Sequence, residues 1–225
     1  MADFTIHPLK STGQPELINE MILASGSSFR RKLLASTGLS FRVETSLVDE
    51  EVITAPDPGR LALARAEAKA TEVAQRFAGA LVIGADQVLG MEGKPFGKAA
   101  NVEEARLRLQ SFAGRTHLLH SAYVLAFSAL GRPEVKILRQ RLVDVPMRMR
   151  QLSSEDIDAY LATGEWQGCA GCYQAENRGA HLLLPPMGES TAIIGLPLPE
   201  LLRDLRSLGV DGLRQPRGPW AFSPA

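Results

Sequence analysis

One short segment of the chain, Ala80-Leu81-Val82-Ile83-Gly84-Ala85, is apolar at every position and runs directly into Asp86. A strand without alternation between apolar and polar residues has to be covered on both of its faces. Helix-patterned segments precede and follow it, and a chain of 225 residues, 45% of them hydrophobic, is long enough to bury one sizeable core. The sequence therefore predicts an α/β fold with a mixed, twisted sheet and flanking helices.

Hydrophobic periodicity places the other elements along the chain. Further strands are predicted at 21–24, 41–46, 121–127 and 135–145, with a turn at 131–133 between the last two. Helices are predicted after the loop 25–28, at 61–77, at 102–112, after Ser153 and from Pro197. Residues 1–20 and 213–225 show little periodicity and contain prolines, so we expect loosely attached extensions on either side of a folded domain at 21–212.

The charge balance limits the partners that the chain can bind. Twenty-five basic and twenty-five acidic residues give a formal net charge of zero, so the broad basic surface typical of proteins that bind nucleic acid or membranes is absent. We therefore expect no stable nucleic acid partner and no membrane partner, and an anionic ligand would have to be held at a local site. No apolar segment is long enough to span a membrane and no signal-peptide pattern is present, which favours a cytoplasmic protein.

Cys169 and Cys172, the only cysteines, form the sequence Cys-Ala-Gly-Cys. This spacing is compatible with a redox pair or with half of a zinc site. A zinc site needs two further ligands, and the four histidines show no second pair at ligand spacing. The alternative interpretation is two small residues in a tight, buried turn.

A loop rich in small residues links the first predicted strand to a helix that begins with three cations, Arg30, Arg31 and Lys32. Free backbone amides, the hydroxyl of Ser27, a helix N-terminus and Arg30 together suit a polyphosphate. The simpler alternative is that Ser27 or Ser28 caps the helix and that the cations face solvent. The loop is not a Walker A motif, because it lacks the second glycine and the Gly-Lys-Ser/Thr ending.

Asp86 is the second candidate functional residue, as a metal ligand or as a general base. A carboxylate at the carboxyl end of an apolar strand can bind a divalent metal or accept a proton from water, although a solvated aspartate is the alternative. Glu50, within Asp49-Glu50-Glu51, supplies a further carboxylate. Lys69 and Lys98 are cations that could neutralise phosphate charge, and each is equally compatible with an ordinary surface position.

These residues, taken in order, resemble the Maf family of nucleoside triphosphate pyrophosphatases. The matching segments are 23–27 with Arg30, Val48-Asp49-Glu50, Lys69-Ala70, Gly84-Ala85-Asp86, Lys98, 113–117, 170–174 and 194–198. The resemblance covers almost the whole folded unit. It implies hydrolysis of a nucleotide to its monophosphate and pyrophosphate, which keeps non-standard nucleotides out of nucleic acids. It also implies an inosine triphosphatase-like fold of two lobes with the active cleft between them, and in many members a homodimer.

The resemblance further implies a role for each candidate residue. Asp86 would accept a proton from water, and Glu50 and Asp86 would bind a divalent cation such as Mg²⁺, Mn²⁺ or Co²⁺. The residues that would hold the phosphates are Ser27, Arg30, Lys69 and Lys98. These roles agree with the chemistry, because cations and a metal stabilise the charge that grows on the leaving pyrophosphate.

Three positions that distinguish substrates within the family are occupied here by Phe29, Gln87 and Glu176. The branch that acts on 7-methyl-GTP has Trp, Gln and Glu there, whereas members that prefer thymidine or uridine nucleotides have Arg, Thr and Gln. An aromatic ring can stack on a methylated, cationic purine, and a carboxylate can accept hydrogen bonds from the guanine edge. The alternative for Phe29 is a core position beside Leu33.

The departures from the family pattern include two single-residue changes. Ala99 follows Lys98 where the family has proline, and Gly188-Glu189 stands where it has Gly-Asp. Neither removes Asp86 or Arg30. Two other functions remain open from the sequence: a non-catalytic, nucleotide-binding regulator of cell division and septum formation, and a thiol oxidoreductase that uses the two cysteines.

Overall fold

The computed structural model describes residues 16–132, 134–185 and 188–222. Most of the predicted extension at 1–20, the last three residues of the tail and Pro133 of the predicted turn lie outside the described residues. The described strands are β1 (Glu16–Ile18), β2 (Glu20–Ala24), β3 (Arg42–Val43), β4 (Ala80–Met91), β5 (Lys94–Phe96), β6 (Thr116–Ser128), β7 (Val135–Arg148) and β8 (Trp220–Phe222). The described helices are α1 (Ser28–Ala35), α2 (Pro58–Arg76), α3 (Val102–Phe112), α4 (Ser154–Leu161), α5 (Ser190–Ile194) and α6 (Leu198–Ser207), with 3-10 turns at Glu50–Val52 and Arg178–Leu182. None of these helices has the length and apolar character needed to cross a membrane.

Six strands form one mixed sheet in the order β3-β2-β4-β6-β7, with β5 paired to β4. Strand β2 runs parallel to β3 and β4, whereas β4, β6 and β7 are antiparallel to one another in turn. Helices lie on both faces of this sheet. The predicted α/β class with a mixed sheet and flanking helices is therefore confirmed.

Strand β4 is longer than the apolar run suggested. The expected strand ends at Ala85 with Asp86 at its carboxyl end, but β4 continues to Met91 and Asp86 lies in its middle. The parallel partner β2 stops at Ala24, opposite Gly84, while the antiparallel pairing with β6 continues. The prediction was wrong because one paired neighbour is enough to keep a strand extended. Asp86 nevertheless lies just beyond the end of the parallel pairing.

Helix α2 covers one face of the sheet through small residues. Its fully buried positions include Ala62, Ala66 and Ala70. At Gly84 of β4, an added Cβ would lie 2.2 Å from the carbonyl oxygen of Ala66, so the helix and the strand are in direct backbone contact. This close approach lets a long side chain of α2 reach the even-numbered residues of β4.

On the face of β4 that points away from α2, the buried apolar residues form two clusters. Residues of α1 and α6 pack against the first half of β4, in a cluster that includes Ala85. Residues of α3, α4 and α5 pack against the far half, in a second cluster that includes Leu89. Asp86 and Gln87 lie between these two positions on β4.

The ends of the described chain are anchored, contrary to expectation. Strand β1 pairs with β8 in antiparallel register, with Ile18 opposite Trp220. The exposed fractions of Ile18 and Trp220 are 0% and 1%, and both belong to the core cluster of α1 and α6. The prediction of loosely attached segments was therefore wrong for these residues, because two short segments about two hundred positions apart give no local sign that they pair. The boundaries of the domain at 21 and 212 stay a prediction.

Candidate active site

Asp86 and Glu50, the two predicted metal ligands, are joined by the ammonium group of Lys69. Lys69 Nζ lies 2.8 Å from Asp86 Oδ1 and 2.9 Å from Glu50 Oε1. Lys69 and Asp86 are buried, with exposed fractions of 8% and 5%, whereas Glu50 is half-buried. An ammonium group carries three N–H donors, so one remains for a phosphate oxygen.

A separate element positions each member of this cluster. Lys69 extends from α2 toward β4, and Asp86 extends from β4 toward α2. Glu50 begins a 3-10 turn whose N-cap is Asp49, and the Asp49 side chain accepts a hydrogen bond of 3.1 Å from the backbone N–H of Glu51. Asp49 therefore shapes the turn, and Glu50 is the carboxylate that reaches Lys69.

The second carboxylate oxygen of Asp86, Oδ2, is buried and has no hydrogen-bond partner among the described residues. An unpaired buried acceptor costs free energy, so a water molecule or a cation at this position would satisfy it. Within the described parts of the chain, no group of three or more His, Cys, Asp or Glu residues could hold a metal ion. Mg²⁺, however, is commonly bound through one or two carboxylates together with substrate phosphates and water. The oxygens of Asp86 and Glu50 fit that kind of ion.

Arg30 of α1 makes three hydrogen bonds to groups around this site. Its Nε donates to the carbonyl oxygen of Gly195 at 2.9 Å. Its Nη1 donates to the carbonyl oxygen of Ala85 at 3.0 Å and to Ser25 Oγ at 3.1 Å. Arg30 therefore fastens α1 both to β4 and to the segment that follows α5.

The charge of Arg30 belongs to the same electrostatic cluster as the two carboxylates. Burial lowers the pKa of the guanidinium, and the negative charges of Asp86 and Glu50 act in the opposite direction. An arginine remains protonated in proteins in spite of such a change. Its Nη2 donates to no acceptor in the described part of the chain, so Nη2 is the atom that remains for a phosphate.

Ser27 caps helix α1, which confirms the simpler interpretation of this residue. Its Oγ accepts a hydrogen bond of 3.3 Å from the backbone N–H of Arg30. Its own N–H donates to Oγ of the buried Ser25 at 3.3 Å. A contact between Ser27 and phosphate stays a prediction, and the hydroxyl that contacts the Arg30 guanidinium is that of Ser25.

Gln87 extends from the face of β4 that points away from α2. Its Nε2 donates to the carbonyl oxygens of Ala192 at 2.8 Å and Ile193 at 3.0 Å, near the end of α5. Gly195, directly after α5, has a φ of +114°. A Cβ at Gly195 would lie 3.4 Å from Arg30 Nε and 3.8 Å from Gln87 Oε1. Glycine at this position allows both the backbone conformation and the close approach of the two side chains.

Glu176 lies at the edge of a cavity of about 390 Å³. Its walls are mainly apolar and include Met147, Leu183, Ile193 and Ile194. A largely apolar cavity with a few polar groups is the usual form of a site for a small organic ligand. The carboxylate of Glu176 is exposed, so it is accessible to such a ligand.

Lys98 is exposed between β5 and α3 and makes no hydrogen bond or ion pair with the described residues. Its charge and that of Glu176 both act on the thiol of Cys169. Burial raises the pKa of the Cys169 thiol, Glu176 raises it further, and Lys98 acts in the opposite direction. The role of Lys98 toward phosphate stays a prediction.

Phe29 is half-buried on α1 and belongs to none of the three apolar core clusters. Its neighbour Leu33 does pack against the core. The alternative of a core position for Phe29 is therefore wrong, and its ring remains available to a ligand.

The Cys-Ala-Gly-Cys segment forms a tight turn. The backbone N–H of Cys172 donates to the carbonyl oxygen of Cys169 at 3.1 Å, and both thiols are free. Burial raises the pKa of both thiols, which disfavours the thiolate form that redox chemistry and metal binding need. The interpretation as a turn of small residues is thus the one that the structure supports.

Comparison with known proteins decides the family. The sequence model described as "Maf-like protein" matches residues 20–208. The chain belongs to the Maf family. A 7-methyl-GTP pyrophosphatase from Mesorhizobium japonicum is 40% identical over 205 residues, which are 87% of this chain and all of the relative.

Two other relatives with about 40% identity agree with this assignment. A 7-methyl-GTP pyrophosphatase from Bartonella quintana is 42% identical over 200 residues, covering 86% of this chain and 98% of the relative. A nucleoside triphosphate pyrophosphatase from Streptomyces coelicolor is 40% identical over 197 residues, which cover 87% of this chain and 93% of the relative. Among solved structures, a HAM1 protein from Coxiella burnetii aligns with a TM-score of 0.41 and 17% identity, over 81% of this chain and 95% of that one.

One departure of this Maf protein from the family pattern has a clear structural role. Glu189, where the family has aspartate, is the N-cap of α5. Its carboxylate accepts hydrogen bonds from the backbone N–H groups of Thr191 at 2.7 Å and Ala192 at 2.6 Å. The longer side chain thus still caps the helix. Ala99 is half-buried against the far core cluster, and nothing in the structure explains why proline is absent there.

Pattern reasoning missed the contribution of α5 to this Maf site. A helix of five residues is too short to show a hydrophobic period. The sequence contains one sign of where this helix ends: Gly195 follows the apolar Ile193 and Ile194 and precedes Pro197, which is a typical helix ending. The structure adds Ser25, Gly195 and the walls of the Glu176 cavity to the residues that shape the site.

Proposed function

We propose that this protein is a nucleoside triphosphate pyrophosphatase that hydrolyses a purine nucleotide with a methylated base, 7-methyl-GTP or a close analogue, to the monophosphate and pyrophosphate. One observation carries the proposal: a buried carboxylate, Asp86, has one oxygen fixed by Lys69 and the other unpaired. Such a carboxylate can accept the proton of an attacking water while the lysine holds it in place. The names of the relatives with about 40% identity support the same activity.

The charges around Asp86 suit a polyphosphate. Lys69 has a free N–H donor and Arg30 has a free Nη2, so both can donate to phosphate oxygens. Donors that are already fixed in place stabilise charge on a leaving pyrophosphate without reorganisation. Asp86 and Glu50 would hold a divalent cation, which would supply further neutralisation of phosphate charge.

The cavity beside Glu176 suits the base of the nucleotide. Its apolar walls can contact the faces of a purine, and the Glu176 carboxylate can accept hydrogen bonds from the N1–H and 2-amino groups of guanine. Phe29 has a partly free ring that can stack on a cationic, methylated base. Removal of such nucleotides would keep them out of newly made nucleic acid.

The test is a product assay on purified protein with Mg²⁺, Mn²⁺ or Co²⁺ and a panel of nucleoside triphosphates, with and without base methylation. We expect one pyrophosphate and one monophosphate per turnover, with 7-methyl-GTP among the best substrates. Diphosphate and orthophosphate as products would contradict cleavage at the proposed bond. Tight nucleotide binding without turnover would favour the alternative of a non-catalytic regulator of cell division.

A further inference from the structure

The side chain of Gln87 is engaged by protein groups, although it lies next to Asp86 in the chain. Both hydrogens of its amide are used, one toward the carbonyl oxygen of Ala192 and one toward that of Ile193. An amide NH₂ group has only two donors. Gln87 therefore has no N–H left for a nucleotide while these contacts persist.

Helix α5 depends on groups outside itself. It has five residues, which is little more than one turn, and isolated helices of that length are unstable because nucleation is costly. The carboxylate of Glu189 holds its first turn. At its other end Gln87 binds two carbonyl oxygens, and Arg30 binds the carbonyl oxygen of Gly195. Its position is thus set by side chains that extend from neighbouring elements.

The same helix forms one wall of the Glu176 cavity. Ser190, Ile193 and Ile194 of α5 line it together with Glu176 and Met147. Ile193 connects the two, since its carbonyl oxygen accepts a hydrogen bond from Gln87 and the residue is part of the cavity lining. A displacement of α5 would therefore change the width of the cavity.

We propose that Gln87 is a positioning residue: it sets the shape of the Glu176 cavity by holding α5, and so controls nucleotide selectivity without donating a hydrogen bond to the base. This inference rests on the proposed function, because it takes the cavity as the base-binding site. Arg30 connects α5 to the strand that carries Asp86, since it donates to the carbonyl oxygen of Gly195 after α5 and to that of Ala85, the neighbour of Asp86.

Two near-isosteric variants test the proposal. Gln87→Met removes both donors, and Gln87→Glu turns the amide nitrogen into an acceptor that faces two carbonyl oxygens. Gln110→Glu, at an exposed position on α3, controls for the added charge. The first measurement is hydrogen exchange of the amides of 191–196 in the free protein. We expect exchange to accelerate about tenfold in Gln87→Met and more in Gln87→Glu, because two hydrogen bonds are lost, and to stay unchanged in Gln110→Glu.

The second measurement is kinetic. In both Gln87 variants we expect KM for 7-methyl-GTP to rise about tenfold, with a smaller fall in kcat. The preference for 7-methyl-GTP, measured as its kcat/KM divided by that of other triphosphates, should also decrease. Ile193→Val, which removes one methylene from the cavity wall, should also change that ratio. Its α5 exchange should remain as in the wild type.

Unchanged exchange of α5 in both Gln87 variants would overturn the proposal, and a fall in kcat without a change in KM would do the same. Altered selectivity with normal α5 exchange would indicate direct contact between Gln87 and the nucleotide. If the wild-type protein releases no pyrophosphate from any triphosphate, the proposed function fails. The exchange experiment, together with binding of a non-hydrolysable guanosine triphosphate analogue, still decides whether Gln87 acts through α5.

Discussion

Lowering the pH from 7 to 4 should destabilise this protein through His117. The ring of His117 is 1% exposed and stacks on Phe112 with 4.8 Å between ring centroids. Its Nε2 lies 2.6 Å from the hydroxyl oxygen of Tyr173, and its Nδ1 has no partner among the described residues. Burial lowers the pKa of His117 from 6.5 to about 4. The folded protein therefore keeps this histidine neutral.

The sign and size of the effect follow from this difference in pKa. The unfolded chain binds a proton near pH 6.5, whereas the folded protein does so only near pH 4. The contribution of His117 to the free energy of unfolding is therefore constant above pH 6.5, and the protein loses stability through this group as the pH falls from 6.5 to 4. At about 1.4 kcal/mol per pKa unit, the loss amounts to about 3 kcal/mol.

The assay is urea unfolding at several pH values between 7.5 and 4 for the wild type, His117→Gln and His181→Gln. His117→Gln is expected to be less stable at neutral pH but to lose about 3 kcal/mol less on acidification than the wild type does. His181 is exposed, so His181→Gln should follow the wild-type profile. Equal pH profiles for the wild type and His117→Gln would refute the reasoning.

Three further predictions concern packing and selectivity. Gly84→Ala should lower the free energy of unfolding in urea by about 3 kcal/mol, because the added Cβ would lie 2.2 Å from the carbonyl oxygen of Ala66. Gly97→Ala is the control, since the space around its Cβ is open. Equal stability of the two variants would contradict the contact between α2 and β4. Trp220→Ala should lower the free energy of unfolding by about 3–5 kcal/mol, because this side chain is 1% exposed. A loss below about 1 kcal/mol would mean that the tail does not stabilise the fold. Glu176→Gln should reduce the ratio of kcat/KM between guanine and other nucleotides about tenfold, and an unchanged ratio would remove Glu176 from the base site.

Much of the framework could be predicted because its pattern is local. The apolar run before Asp86 and the alanine-rich helix that carries Lys69 are both visible in the sequence, and both elements are present. The helix predicted after Ser153 is also present, and Ser153 and Asp156 form a capping box at its start. These features depend on residues within one or two helical turns of each other, which is the range over which sequence patterns are informative.

The remaining features depend on contacts between distant segments. The extension of β4 past Asp86 is imposed by its pairing with β6. The pairing of Ile18 with Trp220 joins the two ends of the described chain. The contact of Gln87 with α5 spans more than one hundred residues. None of these partners has a local signal, so the sequence could not show what holds the candidate site residues in place.

The central claim is that Asp86, oriented by Lys69, is the base that activates water for hydrolysis of a nucleoside triphosphate. The direct test is pyrophosphate release from 7-methyl-GTP by Asp86→Asn, with Asp158→Asn on the exposed side of α4 as the matched control. We predict that Asp86→Asn unfolds in urea as a cooperative, folded protein and that its kcat falls at least about 100-fold, while Asp158→Asn keeps wild-type activity. Wild-type kcat in Asp86→Asn would contradict the account.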